Sequence, residues 1–153
     1  MFKILEKREL AKDIWLMRVE APRVARTAKP GQFVIVRASE NGERVPLTIS
    51  DYDLETGSVS IVIQTIGVST RKIVALNEGD MMPDFVGPLG HPSEFIKEDL
   101  GELRKKRILF IGGGLGTAPV YPQVKWMHEH GVAVDVIIGA KNRDSFHVVD
   151  HYQ

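Results

Sequence analysis

Short apolar runs, broken by polar turns, fill the first 65 positions. Phe2-Lys3-Ile4-Leu5-Glu6 and Ile14-Trp15-Leu16-Met17-Arg18-Val19 predict two strands on either side of Lys12-Asp13. Ala21-Pro22 ends the second, a turn is expected over 22–28, and Lys29-Pro30-Gly31 turns the chain into the strand Gln32–Val36. Asn41-Gly42 marks a tight turn before a strand over Arg44–Ser50. Glu55-Thr56-Gly57 leads into Ser58–Thr65, where Val59, Ile61 and Ile63 alternate with Ser58, Ser60 and Gln64, and Val62 breaks the alternation. Short strands at this spacing favour an antiparallel barrel or sandwich.

The pattern changes at Gly67. Residues 69–76 predict a short helix with a hydroxyl near its start, and Met81–Val86 a last barrel strand. Gly87-Pro88-Leu89-Gly90-His91-Pro92 reads as a rigid loop, and the charged stretch IKEDLGELRKKR at 96–107 carries only a weak core pattern. The domain boundary is placed there, giving a barrel over 1–98 and a second domain over 99–153. Ile108–Ile111 predicts a buried strand, Gly112–Gly116 a glycine turn, residues 117–130 a helix with Pro119 in its first turn, and Val132–Ile138 another strand. Strand, helix and strand in that order imply parallel pairing.

Composition narrows the chemistry. Twenty basic and twenty acidic residues in 153 cancel, which removes the electrostatic case for nucleic acid or an anionic membrane. The chain has no Cys, so it can form no disulfide, thiolate zinc site or cysteine-bound iron–sulfur cluster. Nothing near the N-terminus reads as a signal peptide and no apolar run approaches about 18 residues, so a soluble cytoplasmic protein is expected. The five histidines have no metal spacing with carboxylates, and none is expected to hold a metal.

Three stretches carry candidate chemistry. Gly112–Pro119 departs from G-x-G-x-x-G and lacks the GK[ST] ending of an ATP-binding loop. It is either a phosphate cradle at a helix start or a tightly packed strand–helix turn. Arg44-Val45-Pro46-Leu47-Thr48 combines a guanidinium, a stiff residue and a hydroxyl, which suits a phosphate and a heterocycle; an ordinary edge strand would read the same way. Gly67-Val68-Ser69-Thr70 is either an anion site or a plain helix cap.

Together these stretches resemble the ferredoxin–NADP reductase superfamily, in its electron-transfer branch. Lys29-Pro30-Gly31-Gln32-Phe33 looks like the family's PGQF turn, RVPLT at 44–48 its flavin strand, and Gly67–Thr70 its pyrophosphate turn. Gly87-Pro88-Leu89-Gly90 resembles the GPLG loop, and Gly113–Pro119 the nicotinamide-nucleotide loop. The resemblance implies an FAD-binding Greek-key barrel followed by an α/β domain for NAD(P)H. By position, Thr48 would hydrogen-bond the isoalloxazine edge, as the catalytic contact, with Pro46 and Leu47 beside it. Gln64, Thr65 and Ile66 would line the ribityl path. Gly67, Ser69 and Thr70 would hold the pyrophosphate, with Arg44 a further phosphate contact. Gly113, Gly114, Gly116 and Thr117 would face the nicotinamide nucleotide.

The implied activity is hydride transfer from NAD(P)H to flavin and onward passage of electrons to a redox partner, a ferredoxin or an iron–sulfur flavoprotein subunit. The chain departs from the family in three ways. Val45 stands where the common flavin pattern has Arg, the family's [2Fe-2S] cysteines are missing, and only two parallel strands are counted of the usual five or so. A truncated nucleotide domain is expected, with its sheet edge covered by another chain, as in a homo-oligomer, or with residues beyond about 140 mobile. Lys141 and Arg143 suit a ribose or 2′-phosphate, but solvated charges fit better. The alternative reading is a cofactor-free barrel that docks subunits.

Overall fold

The computed structural model describes residues 1–144. The expected mobility beyond about 140 falls largely on residues 145–153, outside the described residues.

Seven antiparallel strands form the first unit: β1 (Phe2–Ala11), β2 (Ile14–Glu20), β3 (Phe33–Arg37), β4 (Val45–Asp53), β5 (Ser58–Gln64), β6 (Met81–Met82) and β7 (Asp84–Leu89). Their order in the sheet is β6-β1-β2-β5-β4-β3-β7, so the two edge strands are consecutive in the chain. Only Pro83 separates them, and the sheet curls into a nearly closed barrel. Inward-facing Ile4, Met17, Val19, Val34, Val36, Ile61, Ile63 and Met82 form the core. Full burial of each such side chain contributes roughly 1.5–3 kcal/mol.

Helix α1 (Pro22–Thr27) stands where the sequence predicts only a turn. Pro22 at its first position loses no hydrogen bond there, and Val24 and Ala25 reach the core. Helix α2 (Val68–Val74) covers the barrel with Ile73 and Val74. The single strand predicted over 81–86 is two, because Pro83 has no N–H to continue one ladder. Met81–Met82 pairs with β1, and Asp84–Leu89 pairs with β3.

The predicted rigid loop at 87–92 therefore begins inside β7. Gly87 is there because a Cβ would sit 2.7 Å from Val34 Cγ1. The 90 end of this segment locks onto the turn before β3. The buried Gln32 side chain donates to the Gly90 carbonyl at 3.0 Å and accepts from the Lys29 N–H at 2.9 Å.

The second unit is smaller. At the charged stretch over 96–107 a 3-10 turn spans Glu94–Lys97, and α3 spans Leu100–Lys105 with Asp99 capping the Glu102 N–H. Only Leu103 of α3 is buried, which explains the weak pattern. Strand β8 (Leu109–Gly113), helix α4 (Thr117–Glu129) and strand β9 (Asp135–Gly139) follow, with β8 and β9 parallel as predicted. Val132 lies before β9, buried with Leu103 and Met127. The other face of the small sheet is bare: Leu109, Ile111 and Ile137 are 50%, 69% and 55% exposed.

Truncating Gln32 to Ala removes a buried side chain and leaves the part-buried Lys29 N–H and Gly90 carbonyl without this partner. We expect Gln32→Ala to lower stability by about 1–3 kcal/mol, read as a lower urea midpoint.

Candidate functional site

The Arg44–Pro46 part of the RVPLT stretch and the GVST stretch face each other across one cleft, with Leu47 and Thr48 outside its lining. Arg44, Pro46, Gly67, Ser69 and Thr70 line it, and it measures about 350 Å³. Even spacing explains the β4 side: Pro46 and Thr48 both point outward, with Arg44 just before the strand exposed as well. Leu47 alternates inward and packs against the barrel core, so its side chain does not share their surface. Thr48 pairs in register with Phe33 of the locked turn, which gives the outer face a rigid base.

Hydrogen bonds assign the hydroxyls different tasks. Thr70 caps α2: its oxygen accepts the Gly67 N–H at 3.1 Å and donates to the Gly67 carbonyl at 3.0 Å. Thr65 holds the β1–β2 turn, bonding the Asp13 carbonyl and carboxylate, both at 3.3 Å. Ser69 donates to the Glu43 carboxylate, an acidic neighbour that the motif gives no reason to expect. Arg44 leans on Asp84 at 3.6 Å and remains 65% exposed. Gln64 is half-buried at the end of β5, and Ile66 and Val68 stand in solvent on either side of Gly67, 73% and 67% exposed.

The glycine loop separates packing from space. A Cβ on Gly112 would lie 3.1 Å from Thr117 Cα, so Gly112 serves close packing. Gly114 has φ +53, a left-handed conformation. A Cβ on Gly113 or Gly116 would meet no protein atom within 4 Å, and neither has a positive φ. Neither packing nor backbone geometry demands glycine at these two positions; a ligand approaching the backbone would. Thr117 is 1% exposed, with its hydroxyl turned toward Gly112. Lys141 and Arg143 are exposed. Among the described residues no group of three His, Cys, Asp or Glu could hold a metal ion, and no helix is long and apolar enough to cross a membrane.

The two units meet along one seam. Leu115 and Ala118 pack on Leu10, Ile14, Leu16 and Val62. Val62, the residue out of pattern in its strand, is the barrel's contribution to this seam. Beside it, Lys125 of α4 donates to Asp51 Oδ1 at 2.7 Å and to the Tyr52 carbonyl at 3.1 Å. Burial alone would lower the Lys125 pKa, but the Asp51 hydrogen bond and charge, with Tyr121 and Glu129, raise it above its ordinary 10.5. Burial, and then nearby acidic charge, raises Tyr52 and Tyr121 above 10.0.

No family model matches the chain. The "dihydroorotate dehydrogenase B (NAD(+)), electron transfer subunit homolog" of Thermotoga maritima is 37% identical over 151 residues, covering 99% of this chain and 51% of that protein. The solved NADH-dependent reduced ferredoxin–NADP oxidoreductase, studied for flavin-based electron bifurcation, superposes with a TM-score of 0.87 at 35% identity. It covers 100% of this chain and 53% of its own.

In its relatives and in its fold the chain matches proteins of the ferredoxin–NADP reductase type. An "uncharacterized protein in adh 3′ region" of Clostridium beijerinckii is 62% identical over 144 residues, 94% of this chain and 49% of that one. Phthalate dioxygenase reductase shares the fold, with a TM-score of 0.68 at 19% identity, covering 97% of this chain and 46% of its own. The chain thus spans about half the length of the curated relatives it matches.

The raised lysine and tyrosines make the seam sensitive to alkali. Each binds its proton more tightly folded than unfolded, so its contribution is complete below the ordinary value and disappears as pH rises through the raised one. We expect the melting temperature to fall as pH rises through and beyond the ordinary 10.0 to 10.5 of these groups. Calorimetry across that range measures it.

Proposed function

We propose that this chain is the flavin-binding part, and a portion of the nucleotide-binding part, of an NAD(P)H-dependent electron-transfer reductase subunit. The observation that carries this reading is the cleft: two stretches distant in sequence face each other on the outer wall of a nearly closed barrel, on which the helix that follows the glycine loop is also docked. The kinship with the Thermotoga electron-transfer subunit homolog and with the ferredoxin–NADP oxidoreductase supports it.

The residues fit FAD. Arg44 offers charged donors for a pyrophosphate, Ser69 would add one on turning its hydroxyl away from Glu43, and Thr70, bonded to the Gly67 N–H, keeps that turn in shape. Ile66 and Val68 offer apolar surface beside it, with Gln64 and Thr65 at the approach. Pro46 provides a flat, stiff wall, and Thr48 a hydroxyl that can hydrogen-bond the flavin ring. FAD, when bound, accepts a hydride from NAD(P)H and passes electrons on singly. The open backbone at Gly113, Gly114 and Gly116 is suited to the nicotinamide nucleotide, with Thr117 bracing Gly112 beneath it. Electrons would leave to a partner subunit or ferredoxin carrying iron–sulfur, since this chain has no Cys. The bare face of Leu109, Ile111 and Ile137 suits coverage by further structure in a whole reductase.

Titration of the purified chain with FAD, followed by visible absorption and flavin fluorescence, tests the reading. Stoichiometric uptake with yellow flavin bands is expected; a colourless protein that takes up no FAD would leave the subunit-docking barrel as the answer. Thr48→Ala should retain FAD but slow its reduction by NAD(P)H roughly tenfold or more, as removal of a positioned hydrogen bond does. Unchanged stopped-flow rates in the flavin-loaded protein would remove Thr48 from the site.

Gly116→Val adds bulk where there is space and where φ is −62°, so the fold should be kept. We expect about tenfold or greater loss of NAD(P)H affinity with an unchanged melting temperature, since bulk between backbone and phosphate removes close approach. Nucleotide fluorescence titration reads it.

A further inference from the structure

Helix α4 leaves the glycine loop and is held to the barrel by an apolar contact, by Lys125, and by Gln123, whose Oε1 accepts from the hydroxyl of the Pro30-bound Ser93 at a long 3.3 Å. In the apolar contact, Ala118 and the preceding Leu115 rest on Leu10, Ile14, Leu16 and Val62. Lys125 lies seven residues further, about 10 Å along the helix axis. Its ammonium meets Asp51 Oδ1 at 2.7 Å and the Tyr52 carbonyl at 3.1 Å, and stands 5.6 Å from the centre of the Tyr52 ring. The Lys125 and Asp51 side chains are only 28% and 33% exposed, so salt screens this pair less than a surface pair.

Both acceptors belong to β4, the strand that carries Thr48 three residues before Asp51. Asp51 faces α4 for a specific reason. Ile49 points into the core, and strict alternation would send Asp51 the same way. The β4–β5 register slips between Ile49 and Asp51, making Ser50 an extra residue. The buried Ser50 hydroxyl is tied to the Ser60 carbonyl at 3.0 Å. This bulge re-aims the carboxylate outward, toward the lysine. Asp51 Oδ1 also accepts the Tyr52 N–H at 2.8 Å, which fixes its orientation before Lys125 arrives.

One point of attachment leaves a helix free to pivot, whereas two fix its direction. We propose that Lys125 is a positioning residue: through Asp51 and Tyr52 it sets the angle of α4, and with it the approach of the glycine loop to the Thr48 strand, without helping to hold a flavin. The last clause rests on the flavin reading above; the angular role does not. Without the ammonium only the apolar contact and the long Gln123–Ser93 hydrogen bond remain, so α4 loosens in angle rather than detaching.

The absence of Cys makes a clean test available, because two introduced cysteines are the only ones to label. Lys72 on α2 and His128 on α4 are exposed. Spin labels at Lys72→Cys and His128→Cys report the distance between the two units by pulsed electron resonance. A single narrow distribution is expected in the parent, at least twofold broader in Lys125→Met and in Asp51→Asn, and narrow again in Lys125→Arg. Circular dichroism establishes that each variant is folded, and having two single variants guards against one failing to fold. FAD affinity, from quenching of flavin fluorescence, should stay within twofold in Lys125→Met.

Unbroadened distances in folded Lys125→Met or Asp51→Asn overturn the proposal, as does a tenfold loss of FAD affinity in Lys125→Met. If neither the parent nor the variants take up FAD, the flavin reading fails, while the distances still decide the angular role.

Discussion

Strand β5 is buried on both faces, and the two-unit arrangement depends on it. Val59, Ile61 and Ile63 fill the barrel, while Ser58, Ser60 and Val62 are buried on the opposite side. A half-exposed strand of an antiparallel barrel would present polar residues outward. Here that outer face is a docking surface, and Val62 meets the first turn of α4. The helix that begins at the glycine loop is therefore referenced to the barrel wall. Its polar tie to β4 adds a second point, so the loop and the Thr48 strand share one frame.

The barrel itself is closed by two local devices. Pro83 lets the two edge strands follow each other in the chain while pairing on opposite sides of the gap. Gln32 then clamps the turn before β3 to the end of the 87–90 segment, satisfying a part-buried N–H and a carbonyl with one side chain. Both leave the outer face of β4 open, so Arg44, Pro46 and Thr48 stand on a rigid support. Binding groups placed on turns and outer faces over a stiff scaffold are pre-ordered for a ligand. Glycines divide along the same line: Gly87 and Gly112 are required by packing, whereas Gly113 and Gly116 leave backbone open to solvent.

Local chemistry determined much of this from the sequence alone. Alternation in β5, the Asn41-Gly42 and Pro30-Gly31 turns, and the strand–glycine–helix order are short-range signals, and an antiparallel barrel or sandwich followed by a parallel pair was legible in them. The motif order pointed to the superfamily. The same signals left the hydroxyls of Ser69, Thr70 and Thr65 alike, because a motif specifies a residue type and not its partner.

Only the tertiary structure decided the rest. Thr70 caps a helix, Thr65 holds a turn, and Ser69 faces Glu43; each assignment depends on what the fold brings within 3–3.5 Å. Val62 reads as a fault until α4 covers it. Asp51 and Lys125, 74 residues apart, carry no local signal at all, since a single bulge at Ser50 turns the carboxylate toward the helix. Periodicity records which face a residue takes in a regular strand. A register slip and a docked helix are long-range events, and no window of sequence contains them.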